Sequence, residues 1–345
     1  MPLSEILILF ATAALVIWLI IRNAPKLGLI DMPNGRSVHK HATPRGAGIG
    51  IYLAVALFFP LFHFELFGSY FWSLAAIFLV FVVGVLDDHR DTAPRTKFVV
   101  ITIATVIVYF DGLTFTSLKT FFGVEVPLGV LALPFTLFAT VGFTNAFNLI
   151  DGLDGLAGTI GLVILATLYY LGYRYDDPFV MVVAGSFIVT LLAFLLFNWN
   201  PARVFMGDSG SLTLGFVISV LVIKLTAYIQ PVAVFYLVAL PVLDTLIVMI
   251  RRKRRGRSMV SPDRTHIHHI FLALFQYDVK KTVLFLGAVQ AVYGYTALGL
   301  CEGAEQSYSL LFFILNFFIL YVLLSAILKR QELLQVEIRR TGEQP

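Results

Sequence analysis

The chain has 345 residues, 59% of them hydrophobic and only 13% charged, with a mean hydropathy of +0.87. A soluble chain carries roughly 25% charge, and no water-soluble fold could hide this much apolar surface, so lipid is the expected solvent for most of it. The pI near 9.1 does not point to nucleic acid, because the basic residues fall in loops that flank apolar runs, and a lone cysteine, Cys301, excludes an intrachain disulfide and a multi-cysteine metal site.

Eleven apolar runs follow in chain order, near 3–21, 47–64, 70–86, 96–110, 127–147, 156–173, 179–197, 210–229, 231–250, 282–300 and 308–328. The first lacks a basic leader and a small-residue cleavage site, which predicts a span rather than a removed signal peptide. The fourth is short, and the fifth contains Pro134. No soluble domain, low-complexity tract or internal repeat interrupts them. The expected architecture is an all-α integral membrane protein of about eleven transmembrane helices, one polytopic domain over 1–345 ending in a tail at 329–345. Alternate loops then collect all of the 25 Lys and Arg except Lys119, Arg174 and Lys224. The positive-inside rule places those loops and the C-terminus in the cytoplasm and the N-terminus outside.

The same loops carry the candidate chemistry. The first, Asp31 to Gly48, is basic and rich in Gly and Pro, and can bring N–H groups and cations to a phosphate; a turn that only orients the hairpin would look alike. The third run ends in Asp87-Asp88 at a helix C-terminus, which disfavours anions. Arg90, Arg95 or Mg²⁺ could offset them, unless the loop is simply solvated. After the fifth run, Asn148, Asp151 and Asp154 recur every three residues and would share one face of a helical turn, with Gly152 allowing a close ligand. Asp208 lies between Gly207 and Ser209-Gly210 before the eighth run, as an N-cap or as a metal ligand beside an anion-favouring helix start. The ninth run holds Asp244, an intramembrane acid in need of a partner. After it come a basic run and Asp263-Arg264-Thr265-His266-Ile267-His268-His269. Zinc is conceivable there, but the many facing carboxylates favour a hard, oxygen-bound metal, which leaves the histidines as donors to phosphate or sugar. Together these groups meet the needs of Mg²⁺-dependent phosphoryl transfer.

In this order, Asp87-Asp88, the Asn145–Leu156 run, Phe205-Met-Gly-Asp208-Ser-Gly and His266-Ile-His-His269 resemble the motifs of the polyprenyl-phosphate N-acetylhexosamine-1-phosphate transferases. The resemblance runs from about residue 28 to about residue 270 and implies transfer of a sugar-1-phosphate from a UDP-N-acetylhexosamine to polyprenyl (undecaprenyl) phosphate, releasing UMP. It implies Mg²⁺, with Mn²⁺ able to substitute, held by Asp208 with Asp87 and Asp88. Asp87 would activate the nucleophile. Asn148, Asp151, Gly152 and Asp154 would form the nucleotide pocket, with Asp151 and Asp154 in the catalytic set. Phe205 would stack on uracil, supported by Asn198. His266, His268, His269 and Arg264 would face the diphosphate and sugar, and Lys40 and Arg45 match more loosely. The His-Ile-His-His segment is closer to the branch that uses UDP-GlcNAc than to the branch that uses UDP-MurNAc-pentapeptide for peptidoglycan. The expected place is a bacterial inner membrane, with the site facing the cytoplasm, envelope glycans such as O-antigen or teichoic acid as the downstream use, and a homodimer as the assembly to test. Direct attack and an aspartyl-phosphate both remain open. Competing readings are a lipid-linked sugar transporter or flippase, expected to carry charge at mid-membrane, and a CDP-alcohol phosphotransferase, whose Asp-Gly-x-x-Ala-Arg pattern is absent.

Overall fold

The computed structural model describes residues 1–33, 41–256, 258, 265–301 and 305–341, with side chains to Gln331. Its helices are α1 (Leu3–Leu27), α2 (Gly48–Phe62), α3 (Phe64–Ser69), α4 (Phe71–Arg90), α5 (Pro94–Val108), α6 (Ala132–Leu149) and α7 (Leu156–Arg174), then α8 (Pro178–Asn198), α9 (Asp208–Leu225), α10 (Pro231–Leu237), α11 (Ala239–Arg254), α12 (Ile267–Leu274), α13 (Val279–Leu300) and α14 (Gln306–Thr341). Two small antiparallel pairs complete it among the described residues: β1 (Ile30–Asp31) with β2 (Thr43–Pro44), and β3 (Ser117–Phe121) with β4 (Val124–Pro127).

Every predicted apolar run is helical. Eight helices are long and apolar enough to cross a membrane, or nine if α10 and α11 are one span bent by 82°. α2 and α5, at 15 residues each, are shorter. α3, the β3–β4 hairpin and α12 have no counterpart among the predicted elements; each is too short to leave a periodic signal. Helix starts follow local chemistry. Asp177 caps α8 by accepting from Val180 N at 3.0 Å, ahead of Pro178 at the first helical position. Asp278 does the same for α13 through Lys281 N.

α9 is the hub. It is apolar on all sides, and 89% of its spanning window is buried, mainly by α4 and α6 with α2 and α7. The corresponding values for α1 and α14 are 22% and 11%, so these two present their apolar surface to lipid. The close fit of α4 on α9 depends on Gly84. A Cβ there would lie 2.5 Å from Asp208 O and 2.6 Å from Ser209 Cα. The absence of that carbon lets the last turn of α4, with its two aspartates, reach the first turn of α9.

Candidate active site

The ends of α4, α6 and α8 and the starts of α9, α12 and α13 meet at one end of the bundle, around a cavity of about 1100 Å³. Its wall includes Arg45, Asp87, Asp88, Asp151, Gly152, Asp154, Asn198, Phe205, Asp208 and His269. Residues from five separate predicted loops thus converge. Lys40 and Arg264 lie outside the described residues.

Behind two carboxylates of the wall, the Lys97 ammonium of α5 sits 2.8 Å from Asp87 Oδ2 and 2.5 Å from Asp208 Oδ2. Neither Arg90 nor Arg95 pairs with Asp87 among the described residues; the offsetting cation is Lys97. The other Asp87 oxygen accepts from Thr92 N at 2.8 Å and Thr92 Oγ1 at 2.7 Å. Asp208 Oδ1 accepts from Asn148 Nδ2 at 3.0 Å, and the same amide donates to Ser211 Oγ at 2.8 Å.

Asp88 is oriented differently from its neighbour. Its two oxygens accept from Asp208 N at 2.8 Å and Ser209 N at 3.1 Å. These are unpaired N–H groups of the first turn of α9. Asp88 therefore caps α9 from another helix, with its charge on the partially positive end. Asp208 is the first helical residue of α9, and Gly207 occupies the N-cap position.

The Asn148–Asp154 run departs from its expected shared face. α6 stops at Leu149, and the left-handed Gly155 (φ 78°) then turns the chain into α7. Asn148 stays on the helix beside Asp208. Asp154, also on the cavity wall, accepts from Asn200 Nδ2 at 2.8 Å and Ala202 N at 3.0 Å. Asn198 ties this turn down, accepting from Gly155 N and donating to Val204 O, both at 2.8 Å. Only Asp151 makes no side-chain hydrogen bond among the described residues. Burial, reinforced by the negative charges of Asp208, Asp88 and Asp154, pushes its carboxyl up to about 7.

A raised carboxyl destabilises the fold when it is charged. Its folded form holds a proton that the unfolded chain, with an ordinary carboxylate, has already lost at neutral pH, so stability falls as pH rises towards 7. Asp151→Asn removes this cost. In detergent without divalent cations, its melting temperature is expected to exceed that of the unaltered protein at pH 8, and the gap should narrow towards pH 5. Equal melting curves at pH 8 would show that the charge is not buried.

The histidines divide into three roles. His269 is on the cavity wall. His268 is 2% exposed, neither ring nitrogen has a hydrogen-bond partner among the described residues, and its Nε2 is so close to Gly152 that a Cβ there would collide with it. Burial, with His269 alongside, holds this imidazole down to about 3, hence neutral. His266 turns away from the cavity, with Nδ1 2.7 Å from Asp244 Oδ2.

Lys97 belongs to none of the motifs, and in the sequence it is one basic residue among those of the loops that flank the apolar runs. The cavity wall also includes Asp31, His41, Tyr277, Asp278 and Lys280. Asp31 and His41 belong to the first candidate loop, whereas no local pattern marks Tyr277, Asp278 and Lys280.

The sequence model of glycosyl transferase family 4 matches residues 70–226. The chain is 32% identical over 280 residues to the undecaprenyl-phosphate alpha-N-acetylglucosaminyl 1-phosphate transferase of Salmonella typhi, covering 78% of this chain and 76% of that one. It is 30% identical over 279 residues to the protein of that name from Escherichia coli K12, with the same coverage. It is 29% identical over 294 residues to the probable undecaprenyl-phosphate N-acetylglucosaminyl 1-phosphate transferase of Bacillus subtilis, covering 83% of this chain and 81% of the relative. An ordered set of motifs gathered on one cavity and similarity along most of the chain agree: the protein belongs to the polyprenyl-phosphate N-acetylhexosamine-1-phosphate transferase family.

Proposed function

We propose that the protein transfers GlcNAc-1-phosphate from UDP-GlcNAc to undecaprenyl phosphate and releases UMP, as the first step of an envelope glycan. The observation that carries this reading is the cation seat shared by Asp87 and Asp208 on the wall of a cavity large enough for a nucleotide sugar. The names of the relatives supply the substrates. The charge bias supports eleven spans in a bacterial inner membrane, with the cavity on the cytoplasmic side.

In the proposed step, a phosphate oxygen of the lipid attacks the sugar-bearing phosphorus, and the bond to the UMP oxygen breaks. Both Asp87 oxygens are engaged by Thr92 and Lys97, which favours direct displacement over a phosphorylated aspartate. Lys97 would take up negative charge on the transferring phosphoryl group. Asp151, Gly152 and Asp154 would border the nucleotide, with Phe205 against the base and Asn198 bracing the turn. His269 would face the diphosphate, and Arg45 the cavity mouth.

Among the described residues, no three His, Cys, Asp or Glu side chains form a metal-binding group. Mg²⁺ needs only one or two carboxylates plus substrate phosphates. Asp87 and Asp208 already converge on a single cation, with the amide of Asn148 adjoining, so the residues fit. When bound there, Mg²⁺ or Mn²⁺ would neutralise diphosphate charge.

The test is purified protein with undecaprenyl phosphate and a panel of UDP-GlcNAc, UDP-GalNAc and UDP-MurNAc-pentapeptide. UMP and lipid product are expected with UDP-GlcNAc, lost in EDTA and restored by Mg²⁺. Nucleotide-sugar counterflow in vesicles without UMP would instead favour a transporter.

A further inference from the structure

The break between α10 and α11 is a built feature. Gln290 of α13 is fully buried and bridges it, donating to Leu237 O at 2.8 Å and accepting from Leu240 N at 3.1 Å. A helix broken at membrane depth needs such replacement partners for its freed backbone groups. Just beyond the break, Asp244 is 1% exposed. Its Oδ1 accepts from Ile267 N at 2.6 Å, and its Oδ2 lies 2.7 Å from His266 Nδ1. Two turns further along α11, Arg251 Nη1 donates to Thr265 O at 3.0 Å. One face of α11 thus grips three successive residues, Thr265, His266 and Ile267.

This grip falls at the start of α12. Its N-cap, His266, offers no side-chain cap, so Ile267 N would be an unpaired donor in the protein interior. Asp244 fills that need from a neighbouring helix. A carboxylate on Nδ1 requires a proton there, which leaves Nε2 as the other edge of the His266 ring. The ring then stacks on His268, with centroids 5.6 Å apart and planes 13° from parallel. His268 abuts Gly152, and His269 stands in the cavity wall. A continuous line of contacts therefore joins Asp244 to the Asp151-Gly152 turn.

We propose that Asp244 is a positioning residue for the transfer reaction. It clamps the start of α12 and the tautomer of His266, and so sets His268 and His269 against the nucleotide turn. The proposal rests on the transferase reading for its effect on rate, but not for the clamp itself. An acid inside a span is expensive, and two charge-assisted hydrogen bonds to the histidine segment account for its retention there.

The experiment uses the full-length protein in detergent with UDP-GlcNAc, undecaprenyl phosphate and Mg²⁺. Asp244→Asn keeps the shape of the side chain. It is expected to lower kcat by about 10- to 100-fold, with little change in KM for UDP-GlcNAc. His266→Ala should cost a similar factor alone, and almost nothing further in the Asp244→Asn background, because both remove one unit. Unchanged kcat per folded molecule, or multiplicative losses in the double variant, would overturn the proposal. Hydrogen–deuterium exchange over Ile267–Leu274 reads the clamp without activity. Faster exchange in Asp244→Asn is expected, and identical exchange would overturn the clamp. An unaltered protein that makes no UMP but shows the exchange difference would sink the transferase reading and leave the clamp standing.

Discussion

Asp208→Asn is expected to lower UMP release by about a thousandfold, the upper range for removing one preorganised electrostatic contact in an active site. The carboxylate performs two tasks that an amide cannot combine. One oxygen holds Asn148, and an asparagine oxygen could continue to do so. The other faces the Lys97 ammonium at 2.5 Å. An amide turned to keep Asn148 satisfied would aim its NH₂ group at that ammonium, donor against donor. The cation seat then depends on Asp87 alone. The cap that Asp88 places on α9 is to the backbone of residue 208, so it is untouched, and the variant should fold. The check is turnover against Mg²⁺ concentration. A large fall in rate with a raised Mg²⁺ requirement is the expected result, whereas near-normal turnover would remove Asp208 from the cation seat.

The apolar runs made the helices readable, because lipid demands long uninterrupted stretches. The motif residues were readable as a set, because polar groups at the mouths of apolar helices are costly without a purpose. Their partners were not. Asp88 meets the start of α9, 120 residues away, and Lys97 meets Asp208 across 111. Nothing in local sequence records such pairings. Lys97 was further masked by its neighbours, since a basic residue in a cytoplasmic loop already has a topological explanation. The three-residue spacing of Asn148, Asp151 and Asp154 suggested a helical face, yet the helix ends at Leu149, so Asn148 meets Asp208, Asp154 meets Asn200, and Asp151 makes no side-chain hydrogen bond among the described residues. Spacing reports a face only while the helix continues. Asp244 was legible as an anomaly; its partners, 22 and 23 positions on, became apparent only in three dimensions.

Lys97→Met should be the most destabilising single change at the site when divalent cations are absent. Methionine matches the aliphatic stem, so the loss is of charge rather than volume. Asp87 and Asp208 would then face each other without the ammonium that joins them, with Asp88 and Asp151 nearby in the same cavity. Breaking a buried ion pair from one side costs several kcal/mol. The Lys97 side chain is 23% exposed, so water softens the loss, and about 3 kcal/mol, the low end of that range, is expected. Activity should fall by about 100-fold or more, as for the removal of one stabilising contact to a developing charge. Lys97→Arg, which retains the charge, should lose much less stability. Adding Mg²⁺ separates a cation seat from a simple structural pair. A divalent ion that binds the folded protein at the two carboxylates stabilises it by mass action, so the melting-temperature deficit of Lys97→Met should shrink as Mg²⁺ rises, while that of an unrelated destabilised variant should not. A deficit indifferent to Mg²⁺ would mean that the two carboxylates serve the lysine alone, and the metal would have to be sought elsewhere in the cavity.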